Sequence, residues 1–224
     1  MHLPAQDTPS SDSSVSDLVA VDEVLRGNRE MFEVLVRRHN QQLFRIGMAC
    51  LQHREQVEDA MQNAYLKAYL HLAKFRRDAA FSTWLTRIMI NECRMALRKR
   101  RSSREESGAE NNYTTVPDAN TPAPGQNLSL NEMKTLLEHA ISQLSVNHRK
   151  VYVLREVQQL STAETASCLG VSVESVKVTL HRAREQLKNR LLASAAGPEL
   201  FQFHAPRCNG LTAKVMRAVL AIRK

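Results

Sequence analysis

Five residues, Arg87, Asn91, Arg94, Arg98 and Arg101, recur at three- and four-residue steps, and side chains so spaced share one side of an α-helix. The chemistry open to such a row is non-covalent: guanidinium groups grip phosphates, and an amide can hydrogen-bond a base. Leu85, Ile88, Met89, Cys93 and Ala96 fall on the opposite side, so FSTWLTRIMINECRMALRKRR has one packing face and one polybasic face. A solvated surface helix interleaves acids with its bases, yet Glu92 is the only acid between Asp78 and Arg104. Like charge left unrelieved implies an anionic partner. Just upstream, AKFRRDAAFST sets Phe75, Arg76, Arg77, Asp78 and Phe81 at a connection between helices. Rings that stack on unpaired bases, beside cations that hold a backbone, suit single-stranded nucleic acid. Read alone, Phe81 and Trp84 favour core packing, and Phe75 is evenly balanced between the two roles.

The second set of residues is more specific. In LREVQQLSTAETASCLGVSVESVKVTLHRAREQLKNRL a helix ends near Gln158, and Ser161 with Glu164 forms the spacing of a capping box. Gly170 supplies a tight turn, and Ser172 caps a longer helix. On that helix Val173, Val176, Leu180, Ala183, Leu187 and Leu191 make an apolar face. Glu174, Ser175, Val178, His181 and Arg182 are left pointing outward, flanked by Lys177 and Thr179. The pattern is a helix-turn-helix whose second helix fits the major groove of duplex DNA. Arg182 can pair bidentately with guanine, while Lys177, Arg184 and Lys188 are better placed for phosphates.

Covalent chemistry finds little to work with. Glu58 and Asp59 are adjacent, so on a helix they diverge by about 100° and would not share a metal ion as a nuclease requires. Cys50, Cys93, Cys168 and Cys208 are far apart, with no C-x-x-C spacing, and read as reduced, mostly buried thiols. His148 and His181 lack ligand-spaced partners and read as capping or DNA-contacting residues. No catalytic residue, metal site or cofactor is expected.

These elements sit in a chain of 224 residues with net charge +8 and pI near 9.6, values that point to a polyanionic partner. Aromatic residues make up only 5%, so the cores must be built from Leu, Val, Ile, Ala and Met, which suits an all-α class. No apolar run approaches the ~20 residues that span a bilayer, and the Ser-rich acidic start does not read as a secretory signal; a cytoplasmic protein without membrane insertion is expected. Residues 1–20 read as a disordered extension and 21–101 as consecutive helices without proline. Residues 102–129 gather Ser, Asn, Pro and Gly as a flexible linker, and 130–196 form a second helical domain closed by Gly197 and Pro198. The tail, 197–224, holds one short basic amphipathic helix with Leu211, Val215 and Val219 along a stripe.

The helix preceding the polybasic one, EQVEDAMQNAYLKAYLHLAKF, carries a small-residue stripe of Val57, Ala60, Ala64 and Ala68 that admits another helix closely. Its other face, with Glu58, Asp59, Gln62, Asn63 and Lys67, reads by itself as a solvated surface.

Taken in order, VEDAMQNAYLKAYLHLAKFR, FSTWLTRIMINECRMALRKRR and LSVNHRKVYVLREVQQLSTAETASCLGVSVESVKVTLHRAREQLKNRL resemble the extracytoplasmic-function (ECF) group of the sigma-70 family, over about residues 28–195. The resemblance implies two small helical domains, sigma domain two and sigma domain four, and a factor that directs RNA polymerase to promoters, expected to serve stress- or signal-responsive genes. It implies that Asp59, Gln62 and Lys67 dock on the beta-prime subunit of the core, with further contact to beta. It also implies that Phe75, Arg76, Arg77, Asp78, Phe81, Arg87, Asn91, Arg94, Arg98 and Arg101 open and hold the minus-10 strand. Ser172, Glu174, Ser175, Lys177, Val178, Thr179, His181, Arg182 and Arg184 would serve the minus-35 duplex. An anti-sigma protein is the further partner expected. Asn63 stands where the family commonly has an acid, and the run F-x-F-H-x-x-R-C in the tail resembles an extension whose simplest role is packing on domain four. The rival reading is a dimeric helix-turn-helix regulator, which has no use for a polybasic helix on a separate domain.

Overall fold

The computed structural model describes residues 15–107 and 130–195, all of whose regular elements are helical. The first domain comprises α1 (Asp17–Leu25), α2 (Met31–Leu51), α3 (Arg54–Leu70) and α4 (Phe81–Ser107), with a 3₁₀ turn at Leu72–Lys74. The second comprises α5 (Leu130–Ser142), α6 (Val146–Tyr152), a π-helical segment at Val153–Val157, α7 (Thr162–Leu169) and α8 (Val173–Ala195). The all-α, two-domain expectation therefore holds for the described residues, and the proposed tail helix lies outside them.

Two boundaries differ from the sequence reading. The first domain starts before residue 21: the Ser16 hydroxyl accepts from Val19 N and caps α1, while Ala20, Val21 and Val24 are buried against α2. The polar run hid the first turn of this helix because its anchors are distant. Asp17 reaches His39 Nε2 at 2.9 Å and Arg38 Nη1 at 2.6 Å. At the other end, α4 continues through residues 102–107, where no proline stops it.

Close packing explains why α2, α3 and α4 form the centre of the first domain. Val57, Ala60, Ala64 and Ala68 are all buried, as their spacing predicts. Gly47 is the matching notch on α2: a Cβ there would lie 2.5 Å from Val57 Cγ1 and 2.8 Å from Met89 Cε, so no larger residue fits without displacement. The second domain has smaller cores. Ala140, Leu144, Ala183 and Leu187 form one cluster, and Val151, Ala166, Val176 and Leu180 another. Leu154, Leu160 and Cys168 of this domain join the core of the first, so the two domains are packed against each other.

Arg149 ties that junction. Its side chain is buried, with Nε donating to Ala49 O at 2.8 Å, and Nη1 to Ser142 O at 2.7 Å and Leu144 O at 3.1 Å. It thus satisfies carbonyls near the C-terminal ends of α2 and α5, where backbone acceptors lack intrahelical partners and the helix dipole favours a cation. Gln52, in the left-handed region at φ 60°, adds a bond from Nε2 to Ser142 O at 2.8 Å.

Candidate nucleic-acid interface

Helix α8, the candidate for groove recognition, is positioned by local chemistry. The Ser161 hydroxyl accepts from Glu164 N at 3.1 Å, and the Glu164 carboxylate accepts from Ser161 N at 2.9 Å, closing the capping box anticipated at the start of α7. Hydrogen bonds from Ser161 hold the Glu164 carboxyl below the usual carboxylate range. Gly170 ends α7 in the left-handed conformation at φ 67°, which a residue with Cβ adopts only at a cost. Ser172 then caps α8 by accepting from Ser175 N at 3.1 Å.

With α8 anchored through Val176, Leu180, Ala183 and Leu187, its opposite side is presented to solvent. Ser172, Glu174, Ser175, Lys177, Val178, His181, Arg182 and Arg184 are exposed and Thr179 is half-buried. Val178, 50% exposed on a polar face, offers an apolar contact of the kind a thymine methyl takes. Arg184 sits to one side, with Nη2 bound to Glu156 Oε1 at 2.7 Å. His148 neither caps a helix with its ring nor joins this face: its Nδ1 meets Gln186 Oε1 at 2.9 Å, bridging α6 to α8.

The first domain presents its cations differently. Arg76, Arg77 and Asp78 are exposed in the loop before α4, and Asn91, Arg94, Arg98 and Arg101 are exposed along α4, with Arg87 half-buried. Arg77 lies in the left-handed region at φ 63° and its guanidinium binds Asp22 of α1, which fixes the loop to the domain. The aromatic part of the expected site is corrected. Phe75 and Phe81 are only 8% and 2% exposed. Phe75 packs on Phe81 at 5.6 Å and on Trp84 at 5.3 Å between ring centroids. Rings this deeply buried are closed to a base in this arrangement, and the two phenylalanines pack beneath the loop.

On α3, Asp59, Gln62 and Asn63 are exposed together, as a docking face requires. Lys67 is held apart from them in function: its Nζ lies 2.7 Å from Glu92 Oε1, with Glu92 buried. Glu92, the single acid of the basic stretch, is the partner that fixes α3 to α4.

Three side-chain contacts join α4 to α7. Thr83 Oγ1 donates to Glu164 Oε1 at 3.0 Å, Arg87 Nη2 to Ser167 Oγ at 2.6 Å, and Arg94 Nη2 to Leu169 O. The first helix of the helix-turn-helix therefore lies on the start of the polybasic row. Among the described residues, no group of three His, Cys, Asp or Glu side chains is arranged to hold a metal ion, and no helix is long and apolar enough to cross a membrane.

Comparison with known proteins coincides with this division. The profile of Sigma-70 region 2 matches residues 35–103, and that of Sigma-70, region 4 matches residues 134–187. The ECF RNA polymerase sigma factor SigM of Mycobacterium tuberculosis H37Rv is 32% identical over 176 residues, covering 79% of this chain and 85% of that protein. The ECF RNA polymerase sigma-E factor of Escherichia coli K12 is 30% identical over 182 residues, covering 79% and 95%. Among solved structures, CnrH in complex with the cytosolic domain of CnrY is 26% identical with a TM-score of 0.55, covering 79% of this chain and 97% of that one. The sigma factor RpoE in complex with the anti-sigma factor NepR from Bartonella quintana, 23% identical with a TM-score of 0.58, covers 71% and 96% and shares the fold. The chain belongs to the sigma-70 family, in its extracytoplasmic-function group, whose members direct transcription initiation.

Proposed function

We propose that this sigma factor divides its task between two faces, with α4 and its preceding loop holding separated minus-10 DNA and α8 reading the minus-35 duplex. The observation that carries the division is the difference in chemistry between the faces. The α4 row offers cations and one amide without an acid among them, suited to a strand's phosphates and an unpaired base. The α8 face mixes Glu174, Ser175, Val178, His181 and Arg182, the variety that base edges in a major groove demand.

Asp59 and Gln62, exposed on α3 and remote from both reading rows in sequence, are the residues we assign to docking on the beta-prime subunit of core polymerase. Lys67 supports that face through Glu92. The beta subunit and an anti-sigma protein complete the proposed partners; relatives bound to CnrY and to NepR support the latter. Membership of a family that directs initiation supports assigning the protein no catalysis of its own and a cytoplasmic place beside the polymerase.

Run-off transcription with purified core polymerase tests the reading. A sigma factor turns on initiation at specific start sites when added alone to core. A dimeric regulator needs another sigma factor to be present, and that outcome would overturn the proposal.

A further inference from the structure

We infer that Cys50 and Cys93 form a redox site, a buried pair of thiols that a hydroperoxide converts into a disulfide tying α2 to α4 beneath the polybasic row. What the bond does to initiation rests on the sigma-factor reading; the bond itself does not.

The register of the two helices sets the cysteines opposite each other. Helices α2 and α4 run side by side in the same direction: His39 meets Phe81 at 5.5 Å between ring centroids, Gln42 Nε2 donates to Thr86 Oγ1 at 3.2 Å, and Gly47 packs against Met89. One helical turn beyond Gly47 and Met89 stand Cys50 and Cys93. Both are free thiols, 3% and 1% exposed, in one core cluster, and the two interact directly. Cys168 is excluded from the pair: its thiol faces Thr83 O at 3.8 Å, and Thr83 stands about 15 Å along α4 from Cys93.

Their surroundings give the two sulfurs different roles. Cys50 borders a gap too narrow for a water molecule, walled by Ile90 and by Lys150, Val153 and Leu154 of the second domain. Its contact with Cys93, then the charges of Lys150, Arg149 and Arg94, hold the Cys50 thiol below its ordinary value in spite of burial. Cys50 and burial push the Cys93 thiol up. A sulfur beside cations is the better source of thiolate, so Cys50 attacks and Cys93 resolves.

Lys150 is half-buried, and a swing of its flexible side chain opens the gap to a molecule as small as hydrogen peroxide. The Cys50 sulfur bonds to one peroxide oxygen, the O–O bond breaks, and the departing hydroxide leaves as water with the thiol's proton, giving a sulfenic acid. The Cys93 sulfur then bonds to that of Cys50, the S–O bond breaks, and a second water carries off the Cys93 proton. Two thiols lose two electrons and the peroxide gains them; a dithiol reductant reverses the change.

Bonding draws the sulfurs to about 2 Å apart. One turn back, Gly47 and Met89 are packed without slack, so the movement falls around Cys93, whose neighbours Asn91 and Arg94 belong to the exposed row. Oxidation thereby displaces the residues proposed to hold separated DNA.

The test treats the reduced full chain with hydrogen peroxide, removes the peroxide by gel filtration, and maps peptides by mass spectrometry without reductant. The Cys50 and Cys93 peptides should be found joined, two hydrogens lighter than their sum, and should part in dithiothreitol. Cys93→Ala should accumulate a sulfenic acid at Cys50, captured by dimedone, whereas Cys50→Ala should leave Cys93 unmodified at the same dose. In run-off transcription with untreated core polymerase, the oxidised chain should lose most of its start-specific transcript and regain it with dithiothreitol, and Cys50→Ala should keep its transcript after the same treatment. Mapping of the wild-type chain decides the site even where a variant fails to fold. Absence of the joined peptides, or their appearance only in urea, overturns the site, and a disulfide that leaves transcription unchanged overturns its coupling to α4. Failure of the reduced chain to support initiation would instead sink the sigma-factor reading.

Discussion

The two domains reach order by different means. In the first, α2, α3 and α4 meet through an alanine stripe, a glycine notch and a trio of aromatic rings, and its core contains Leu35, Leu43, Ile46, Leu85, Met89 and Ile90 at 1% exposure or less. In the second, two four-residue clusters are supplemented by caps at Ser145, Ser161, Gly170 and Ser172, and by burial of Leu154, Leu160 and Cys168 against the other domain. A domain with a large core can carry a reading row on an ordinary helix. A domain with small cores fixes the helix proposed to read DNA through hydrogen bonds at the turns, so the placement of that helix depends on polar residues that contribute little burial.

Truncating the cores should show the contrast most strongly. Leu85→Ala, at a fully buried position, should destabilise the first domain by about 2–5 kcal/mol in denaturant unfolding, while Leu191→Ala, only partly buried in the second, should cost well under half of that. Equal losses would erase the distinction. Arg149→Met comes next: it strands carbonyls of both domains, at about 1–3 kcal/mol, and calorimetry should resolve one unfolding transition into two as the junction loosens. A single, merely lowered transition would mean that Arg149 serves the second domain alone. Arg182→Ala should leave stability unchanged and weaken minus-35 duplex binding by about 1–3 kcal/mol, relaxing preference at one position. Equal loss on every duplex sequence would reassign Arg182 to phosphate.

Two smaller effects probe the polar anchors. The Asp17 carboxyl is held below its ordinary value of 3.8, chiefly by its hydrogen bond to His39 and then by Arg38. A carboxyl with a depressed folded pKa contributes stability at higher pH and loses it as pH falls through that value. Asp17→Asn should therefore cost about 1–2 kcal/mol at neutral pH, with wild type and variant converging below pH 3.8. Ser161→Ala should cost about 1 kcal/mol, confined to the second domain, and hydrogen exchange along α7 reads it. Loss of protection spread through α2 instead would show that the caps serve the whole chain.

Much of this was legible from residue spacing. The stripe on α3, the two-faced α4 and each cap of the helix-turn-helix follow from local rules that act within a few residues. Apart from the end of α4, the misjudged features depend on distance in sequence. Phe75 was ambiguous because its fate rests on Phe81 and Trp84 closing over it. The start of α1 was misplaced because Asp17 is secured by Arg38 and His39. The buried role of Arg149 had no signal at all, since an arginine near a helix end is ordinary until two other helices terminate beside it.

Gly47 leaves a mark that genomes can reveal. With Val57 Cγ1 only 2.5 Å from where its Cβ would stand, a methyl at position 47 has room only if the valine shrinks. The two sites are thus bound to drift as a pair: lineages that acquire alanine at the first should carry alanine or glycine at the second, and chains recombined between such lineages inside this short interval should lose their fold.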